Sequence, residues 1–161
     1  MNYNPDTGIF SWKVDSVRGH FKVGDRADRP CSYGYRRLFI DTQPYLVHRL
    51  AWFYVHAEWP PNQVDHINGD RSDNRLSNLR LADHQQNQAN SPRRSTKSSK
   101  FKGVYKYGNR WKAFIGLNRK TRYLGTFKTE AEAANAYMTV ARSAFGDFAY
   151  RANEHSDKDS G

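Results

Sequence analysis

A single cysteine, Cys31, leaves this 161-residue chain unable to form an internal disulfide or a structural zinc site built from several thiolates. No apolar run approaches membrane-spanning length, and Met1-Asn2-Tyr3-Asn4-Pro5 lacks the basic stretch and apolar segment of an export signal. A reducing cytoplasm is the expected location. Hydrophobic residues make up only 37% of the chain and its mean hydropathy is −0.94, so its cores must be thin. The length allows one ordinary domain or two small ones. Acidic residues are scarce in one region: residues 91–151 hold 14 Lys/Arg against 3 Asp/Glu, whereas residues 1–90 hold 11 against 10 and residues 152–161 hold 1 against 3. The net charge of +10 is therefore concentrated in the second half, among aromatic residues. That pattern favours a nucleic-acid partner over charge kept for solubility alone.

The first half shows one strong helix and several short strands. An Asn-Pro-Asp-Thr-Gly turn precedes a strand at Ile9-Phe10-Ser11-Trp12, residues 15–32 are patternless and expected as loop, and Tyr35 to Ile40 alternates as a strand. Gln43-Pro44-Tyr45 is expected to turn into a helix over Leu46 to His56, where Val47, Leu50, Ala51 and Tyr54 recur at helical spacing. His48 and His56 on that helix are read as structural, Arg36, Arg37 and Arg49 as half-buried or solvated surface arginines that could reach phosphates, and Cys31 has no visible role.

The informative stretch is Val64 to Asn90. Val64 ends a short strand, Asn68-Gly69 marks a turn, residues 70–78 are too polar to pack, and Leu79-Arg80-Leu81 alternates as a second strand. Asp83 stands as an N-cap before a polar segment, residues 84–90, able to form two helical turns. A carboxylate beside an imidazole, Asp65-His66, supplies a metal ligand next to a base that titrates near neutrality. The strand-loop-strand-helix order can bring Asp65, His66 and Asn87 together over one ion.

With Asp65-His66, Asn78 in Leu76-Ser77-Asn78-Leu79, and Asn87, this stretch resembles the HNH endonucleases, most closely the phage and intron homing type in which the last His is Asn. The resemblance implies a ββα-metal core over residues 63–90 within a nuclease domain of residues 1–90. It implies His66 as general base, Asn78 holding the His66 loop through a backbone contact, and Asp65 and Asn87 as ligands of one Mg²⁺ or Mn²⁺ ion. His84 on the same helix is the rival of Asn87, and the resemblance also places His48 near the site.

Residues 91–100, SPRRSTKSSK, read as a basic linker, with Arg93, Arg94, Lys97 and Lys100 available to the phosphate backbone. Beyond it, strands at residues 103–107, 110–117 and 122–127 are joined by turns at Gly108-Asn109 and Asn118-Arg119-Lys120. A capping box, Thr129-x-x-Glu132, opens a helix whose stripe of Ala133, Ala136, Tyr137, Val140, Ala141 and Ala144 ends at Gly146. Alternation puts Trp111, Ala113 and Ile115 on the helix side, and Tyr105, Tyr107, Lys112, Phe114 and Tyr123 on the other. Gly-Val-Tyr, Trp-x-Ala-x-Ile, Tyr-Leu-Gly-Thr-Phe and the Ala-rich helix resemble the Apetala-two/ethylene-response-factor DNA-binding domain over residues 100–148. That resemblance implies a sheet laid in the major groove. Lys102, Lys106, Arg110, Arg119, Lys120 and Arg122 are then the expected phosphate contacts. At Tyr105, Phe114, Gly116 and Thr121 the sequence departs from that family's reading residues, so groove placement is implied and base readout is not.

The expected fold is α+β: nuclease domain, residues 1–90; linker, 91–100; a three-stranded antiparallel sheet on one helix, 101–150; and a disordered tail, 151–161. The expected function is metal-dependent hydrolysis of double-stranded DNA to a 5′-phosphate and a 3′-hydroxyl. One site per chain predicts nicking by a monomer, with double-strand cleavage needing a dimer or a second event, and no obligate protein partner is implied. Two alternatives stay open: a DNA-binding regulator with a catalytically idle fold, and an RNA-processing nuclease.

Overall fold

A computed structural model describes residues 1–91 and 99–150. Arg93, Arg94 and Lys97, most of the expected linker and the whole expected tail lie outside the described residues. The chain divides into two compact units, Met1–Asp83 and His84–Gly161. The division falls after Asp83, whereas the expected domain boundary lies at residue 90, so the short polar helix belongs to the second unit. Among the described residues no helix is long and apolar enough to cross a membrane.

The first unit opens with a hairpin, β1 (Asn2–Asn4) and β2 (Ile9–Ser11). Its turn is fixed by Asn4, whose Oδ1 accepts from the backbone N–H groups of Asp6 and Thr7 at 2.9 and 3.2 Å. Next come β3 (Arg29–Pro30), β4 (Arg36–Ile40) and β5 (Gln43–Leu46), an antiparallel sheet in the order β3-β4-β5. Strand β5 departs from expectation, since Gln43-Pro44-Tyr45 does not lead into the helix as a turn but pairs with β4. Asp41 and Thr42 make this possible by taking φ of 48° and 68°, which turns the chain tightly enough for a hairpin without glycine. Pro44 is tolerated because β5 is an edge strand.

Helix α1 (Val47–His56) follows directly and stops at Ala57, in the left-handed conformation at φ 57°. Then β6 (Gln63–His66) and β7 (Leu79–Ala82) pair antiparallel, with Asp65 opposite Arg80 and His66 opposite Leu79. One core unites these pieces: Tyr3, Phe10, Leu38, Val47, Leu50, Ala51, Val64 and Leu79. The helix and the N-terminal hairpin thereby form the apolar bed beneath the β6–β7 hairpin, each large side chain contributing about 1.5–3 kcal/mol by burial.

In the second unit α2 (His84–Asn90) precedes β8 (Val104–Tyr107), β9 (Arg110–Leu117) and β10 (Lys120–Phe127), an antiparallel sheet in the order β10-β9-β8. Helix α3 (Glu130–Phe145) begins with the full capping box and ends at Gly146, φ 53°. Asn118 and Arg119 both take positive φ, 50° and 61°, closing the β9–β10 hairpin in two residues. Ala133, Ala134, Tyr137 and Ala141 of α3 are buried with Val104, Ala113 and Ile115 of the sheet. Ala144, expected in the stripe, is exposed, and Ala134 is buried in addition to the expected positions. The approach is close at Gly103, φ 71°, where an added Cβ would lie 2.3 Å from the Phe114 carbonyl oxygen and 2.4 Å from the Tyr137 ring.

Candidate active site

The residues at the end of β6 are buried although they are polar: Asp65 is 5% exposed and His66 4%. Burying a carboxylate without a partner would be costly. Arg80, directly opposite on β7, resolves this by donating from Nε to Asp65 Oδ2 at 2.9 Å, an ion pair in which Nη2 lies equally near the same oxygen. The sequence reading assigned Arg80 no role. Its position in the alternating Leu79-Arg80-Leu81, facing Asp65 once the register is drawn, was the available signal.

Residues 67–78 between the strands form a loop stapled by its own side chains. Asn78 is its centre. The Asn78 carbonyl accepts from Ile67 N at 2.9 Å, its Oδ1 accepts from Asn68 N at 3.0 Å, and its Nδ2 donates to Asn68 Oδ1 at 3.0 Å and to Asp73 O at 2.8 Å. Asn68 Nδ2 donates in turn to Asp73 Oδ2 at 2.8 Å, and Asp70 Oδ1 accepts from Ser72 N at 2.8 Å. Gly69, φ 77°, turns the chain so that its N–H reaches His66 O at 2.9 Å. The backbone leaving His66 is thus fixed within two residues of the imidazole.

The ring of His66 is held from two sides. Its Nε2 lies 3.2 Å from Asn74 Oδ1, and the ring packs against His48 at 5.1 Å and Tyr35 at 6.0 Å between ring centroids. Burial lowers the His66 pKa, against the raising influence of the Asn74 hydrogen bond and of the Asp65, Asp70 and Asp73 carboxylates. Neighbouring His48 is buried, its Nδ1 makes no hydrogen bond, and burial, His66 and Arg49 together push its pKa down to about 3. It is a neutral packing partner, as the structural reading of this position has it. Arg71 lies over the Tyr35 ring at 4.8 Å and donates to Tyr33 O at 3.1 Å, tying the β3–β4 connection to the loop of residues 67–78.

The N-terminal hairpin grips the far side of the loop. Tyr3 Oη donates to Asn74 O at 2.7 Å, Leu76 N donates to Pro5 O at 3.0 Å, and an added Cβ at Gly8 would lie 2.4 Å from Asn74 C and Arg75 N. Asn74 itself is 1% exposed. Neither Asn74 nor Tyr3 stood out in the sequence, because their partnership depends on contacts between distant segments.

Asp65, His66 and Asn78 therefore come together in the first unit, while Asn87 and His84 belong to α2 of the second. The Asn87 carbonyl accepts from Ser91 N at 3.0 Å and Ser91 Oγ at 2.8 Å, and His84 Nε2 lies 3.1 Å from Gln88 Nε2. Among the described residues no group of three or more His, Cys, Asp or Glu side chains could hold a metal ion. The buried carboxylate of Asp65 is a hard oxygen donor of the kind that Mg²⁺ or Mn²⁺ takes together with amide oxygens, waters and phosphate oxygens. The donor chemistry fits such an ion.

The second unit carries the expected aromatic face. Tyr105, Phe114 and Tyr123 form a row across the three strands with centroids 5.9 and 5.3 Å apart, and Lys112 Nζ sits 3.4 Å from the centroid of the Tyr107 ring. Tyr105, Tyr107 and Tyr123 are exposed, as are Lys100, Lys106, Arg110, Arg119, Lys120 and Arg122. Lys102, expected among the phosphate contacts, instead places its ammonium on the carbonyls at the end of α2, those of Gln88, Ala89 (3.0 Å) and Ser91 (2.9 Å). A cation there satisfies the acceptors a helix leaves open at its C-terminus. Burial pushes the Lys102 pKa down to about 8.

Residues 45–89 match the family model described as HNH endonuclease, a stretch containing Asp65, His66, Asn78, His84 and Asn87. The chain is also 44% identical over 87 residues to an uncharacterized HNH endonuclease of Acanthamoeba polyphaga mimivirus. That match covers 53% of this chain and 44% of the relative, so the chain spans under half the relative's length. Residues 45–89, which contain the strand-loop-strand geometry around Asp65-His66, are thus the stretch of this chain that is similar to the HNH endonuclease family model.

Proposed function

We propose that the protein is a metal-dependent DNA endonuclease of the homing type, with His66 as general base. The observation that supports this most is His66 itself: a buried imidazole beside a buried carboxylate, at the end of β6 where the loop that follows is fixed by Asn78. Burial favours its neutral form, the form that can accept a proton at neutral pH. Asp65 and Asn87, with His84 as the rival of Asn87, would hold one divalent ion, Mg²⁺ or Mn²⁺, whose charge would offset that developing on the phosphate and on the leaving oxygen. His66 takes a proton from water, the water oxygen forms a bond to phosphorus, and the bond from phosphorus to the 3′ oxygen breaks. The products are a 5′-phosphate and a 3′-hydroxyl, the latter protonated from solvent. Asn78 keeps the loop backbone in place, and Arg80 keeps the Asp65 carboxylate oriented.

The second unit serves as the DNA-binding module, in the manner of an Apetala-two-like sheet. Its aromatic face lies in the groove, with Lys100, Lys106, Arg110, Arg119, Lys120 and Arg122 at phosphates and the Arg93-Arg94-Lys97 segment following the backbone. Double-stranded DNA is the substrate and a monomer cuts one strand. The row Tyr105-Phe114-Tyr123 favours one other reading, an RNA-processing nuclease whose sheet stacks unpaired bases.

Supercoiled plasmid and DNA from the gene's own neighbourhood, incubated with Mg²⁺, Mn²⁺ or EDTA, test the proposal. Metal-dependent nicking by the wild type that is lost in His66→Ala is the expected result. Tight duplex binding without cleavage, equal in both proteins, would make the idle-fold regulator the better reading, and preferential cutting of RNA would select the other.

A further inference from the structure

We propose that Asn74 is a positioning residue for the reaction: it fixes which nitrogen of His66 carries the proton, so that Nδ1 is the nitrogen that accepts one. This rests on the reading of His66 as the general base. Asn74 holds its amide in one orientation, because Nδ2 donates to Ser72 O at 3.0 Å and a carbonyl oxygen can only accept. Oδ1 is therefore the atom that faces His66 Nε2 at 3.2 Å. An amide oxygen has no proton to give, so Nε2 must be the donor. In a neutral imidazole the other nitrogen then carries the lone pair.

The arrangement is built to last through a reaction cycle. Asn74 is 1% exposed, and contacts from the N-terminal hairpin hold the backbone at and just after it: Tyr3 Oη on the Asn74 carbonyl, Gly8 packed against the Asn74–Arg75 peptide, and Pro5 O on Leu76 N. The hairpin lies outside residues 45–89, so a segment beyond the matched stretch sets the tautomer of a residue inside it. A ring with an unfixed tautomer would place its proton on the wrong nitrogen in part of the population, and that fraction could not act as a base.

The test reads the proton itself. Metal-free protein labelled with ¹⁵N-histidine is examined at about pH 8, where histidine is neutral, by long-range ¹H–¹⁵N correlation, with His66 assigned from its absence in His66→Gln. The expected wild-type pattern is a single Nε2–H tautomer, retained in Asn74→Asp, which keeps an acceptor, and replaced by a mixture in Asn74→Ala. Nicking assays should show kcat lowered about 10- to 100-fold in Asn74→Ala, the range for groups that orient a functional imidazole, with KM within about twofold and most activity restored in Asn74→Asp. An Nδ1–H tautomer in the wild type would overturn the proposal, and so would an unchanged tautomer in folded Asn74→Ala. If Asn74→Ala does not fold, Tyr3→Phe takes its place, and an unshifted Nε2–H pattern in the wild type still decides the main point. A wild type that never cleaves would defeat the nuclease reading while the tautomer measurement stood on its own.

Discussion

Each unit contains an antiparallel hairpin that carries its candidate functional residues, and the two are held in different ways. The β8–β9 hairpin closes over Gly108-Asn109 and is supported by apolar packing: Val104 and Ala113, 0% exposed, and Ile115, 2%, lie against the alanines of α3. Its aromatic and basic residues face outward. The strands of the β6–β7 hairpin reach the core through Val64 and Leu79, but its connecting loop, residues 67–78, buries almost nothing apolar and is held by amide and carboxylate side chains bonded to backbone and to one another. In the second unit the residues that stabilise and the residues that would bind are different sets on different faces. In the first they are neighbours in one network, so a change meant to alter chemistry there also alters the scaffold.

The largest effects should come from the two glycines where the backbone is approached most closely, one in each unit. An alanine Cβ at Gly8 meets backbone atoms at 2.4 Å, and at Gly103 it meets Phe114 O at 2.3 Å, both at positive φ. Overpacking against backbone together with the φ penalty should cost about 3 kcal/mol or more at each. The comparison predicts different consequences. Gly8→Ala should displace Asn74 and reduce nicking beyond its effect on stability, whereas Gly103→Ala should reduce DNA affinity and leave the His66 NMR signals in place. Loss of the His66 signals in Gly103→Ala would show that the units are not separable in this sense.

Next come truncations inside each hairpin. Asn78→Ala removes three side-chain hydrogen bonds from a buried position and should destabilise the first unit by about 2–4 kcal/mol. Ile115→Ala, an apolar truncation at 2% exposure, should cost the second unit a similar amount, about 2–5 kcal/mol. Denaturant melts followed by hydrogen exchange at each hairpin would separate the two. A cost under about 0.5 kcal/mol for Asn78→Ala would mean that the polar network is ornament on a loop held by something else.

This contrast also explains what the sequence could reveal. Apolar packing leaves a periodicity, so the strands of the second unit, the capping box and the outward aromatic face could be read to within a residue or two. The Asp65-His66 pair and Asn78 stood out as residue types in a known order. A polar network has no period: nothing in the letters joins Asn74 to His66, Tyr3 to Asn74, or Asp65 to Arg80 until the register exists. The β4–β5 hairpin was missed for a related reason, since Asp41-Thr42 adopts positive φ without the glycine that usually signals it. Lys102 was legible as a charge, but its use at the end of α2 depended on where the helix ends.

Acid should separate the units more gently. The pKa of His48 is pushed from 6.5 down to about 3, chiefly by burial. Its neutral form therefore stabilises the first unit fully above pH 6.5, and that contribution is lost progressively as pH falls from 6.5 towards 3. Melts between pH 7 and about pH 5 should show the first unit weakening before the second, with His48→Gln flattening the slope. An equal slope in His48→Gln would assign the acid sensitivity to another group.

The smallest effect expected lies at the start of α3. Thr129 Oγ1 accepts from Glu132 N at 3.2 Å, and Glu132 Oε2 accepts from Lys128 N at 3.0 Å and Thr129 N at 3.4 Å. Thr129→Ala leaves Glu132 N without its side-chain acceptor at an exposed helix end where water can replace it, so the cost should be about 1 kcal/mol. Thr129→Ser keeps the hydroxyl and should cost little. The change should appear as faster exchange of the first-turn amides of α3, with no movement of signals in the first unit. Here a polar bond is one of several supports for an element that apolar packing already holds, whereas Asn78 makes the same kind of bond in a loop with little apolar packing of its own. If Thr129→Ala cost as much as Asn78→Ala, the distinction between a network that supplements a core and one that replaces it would fail.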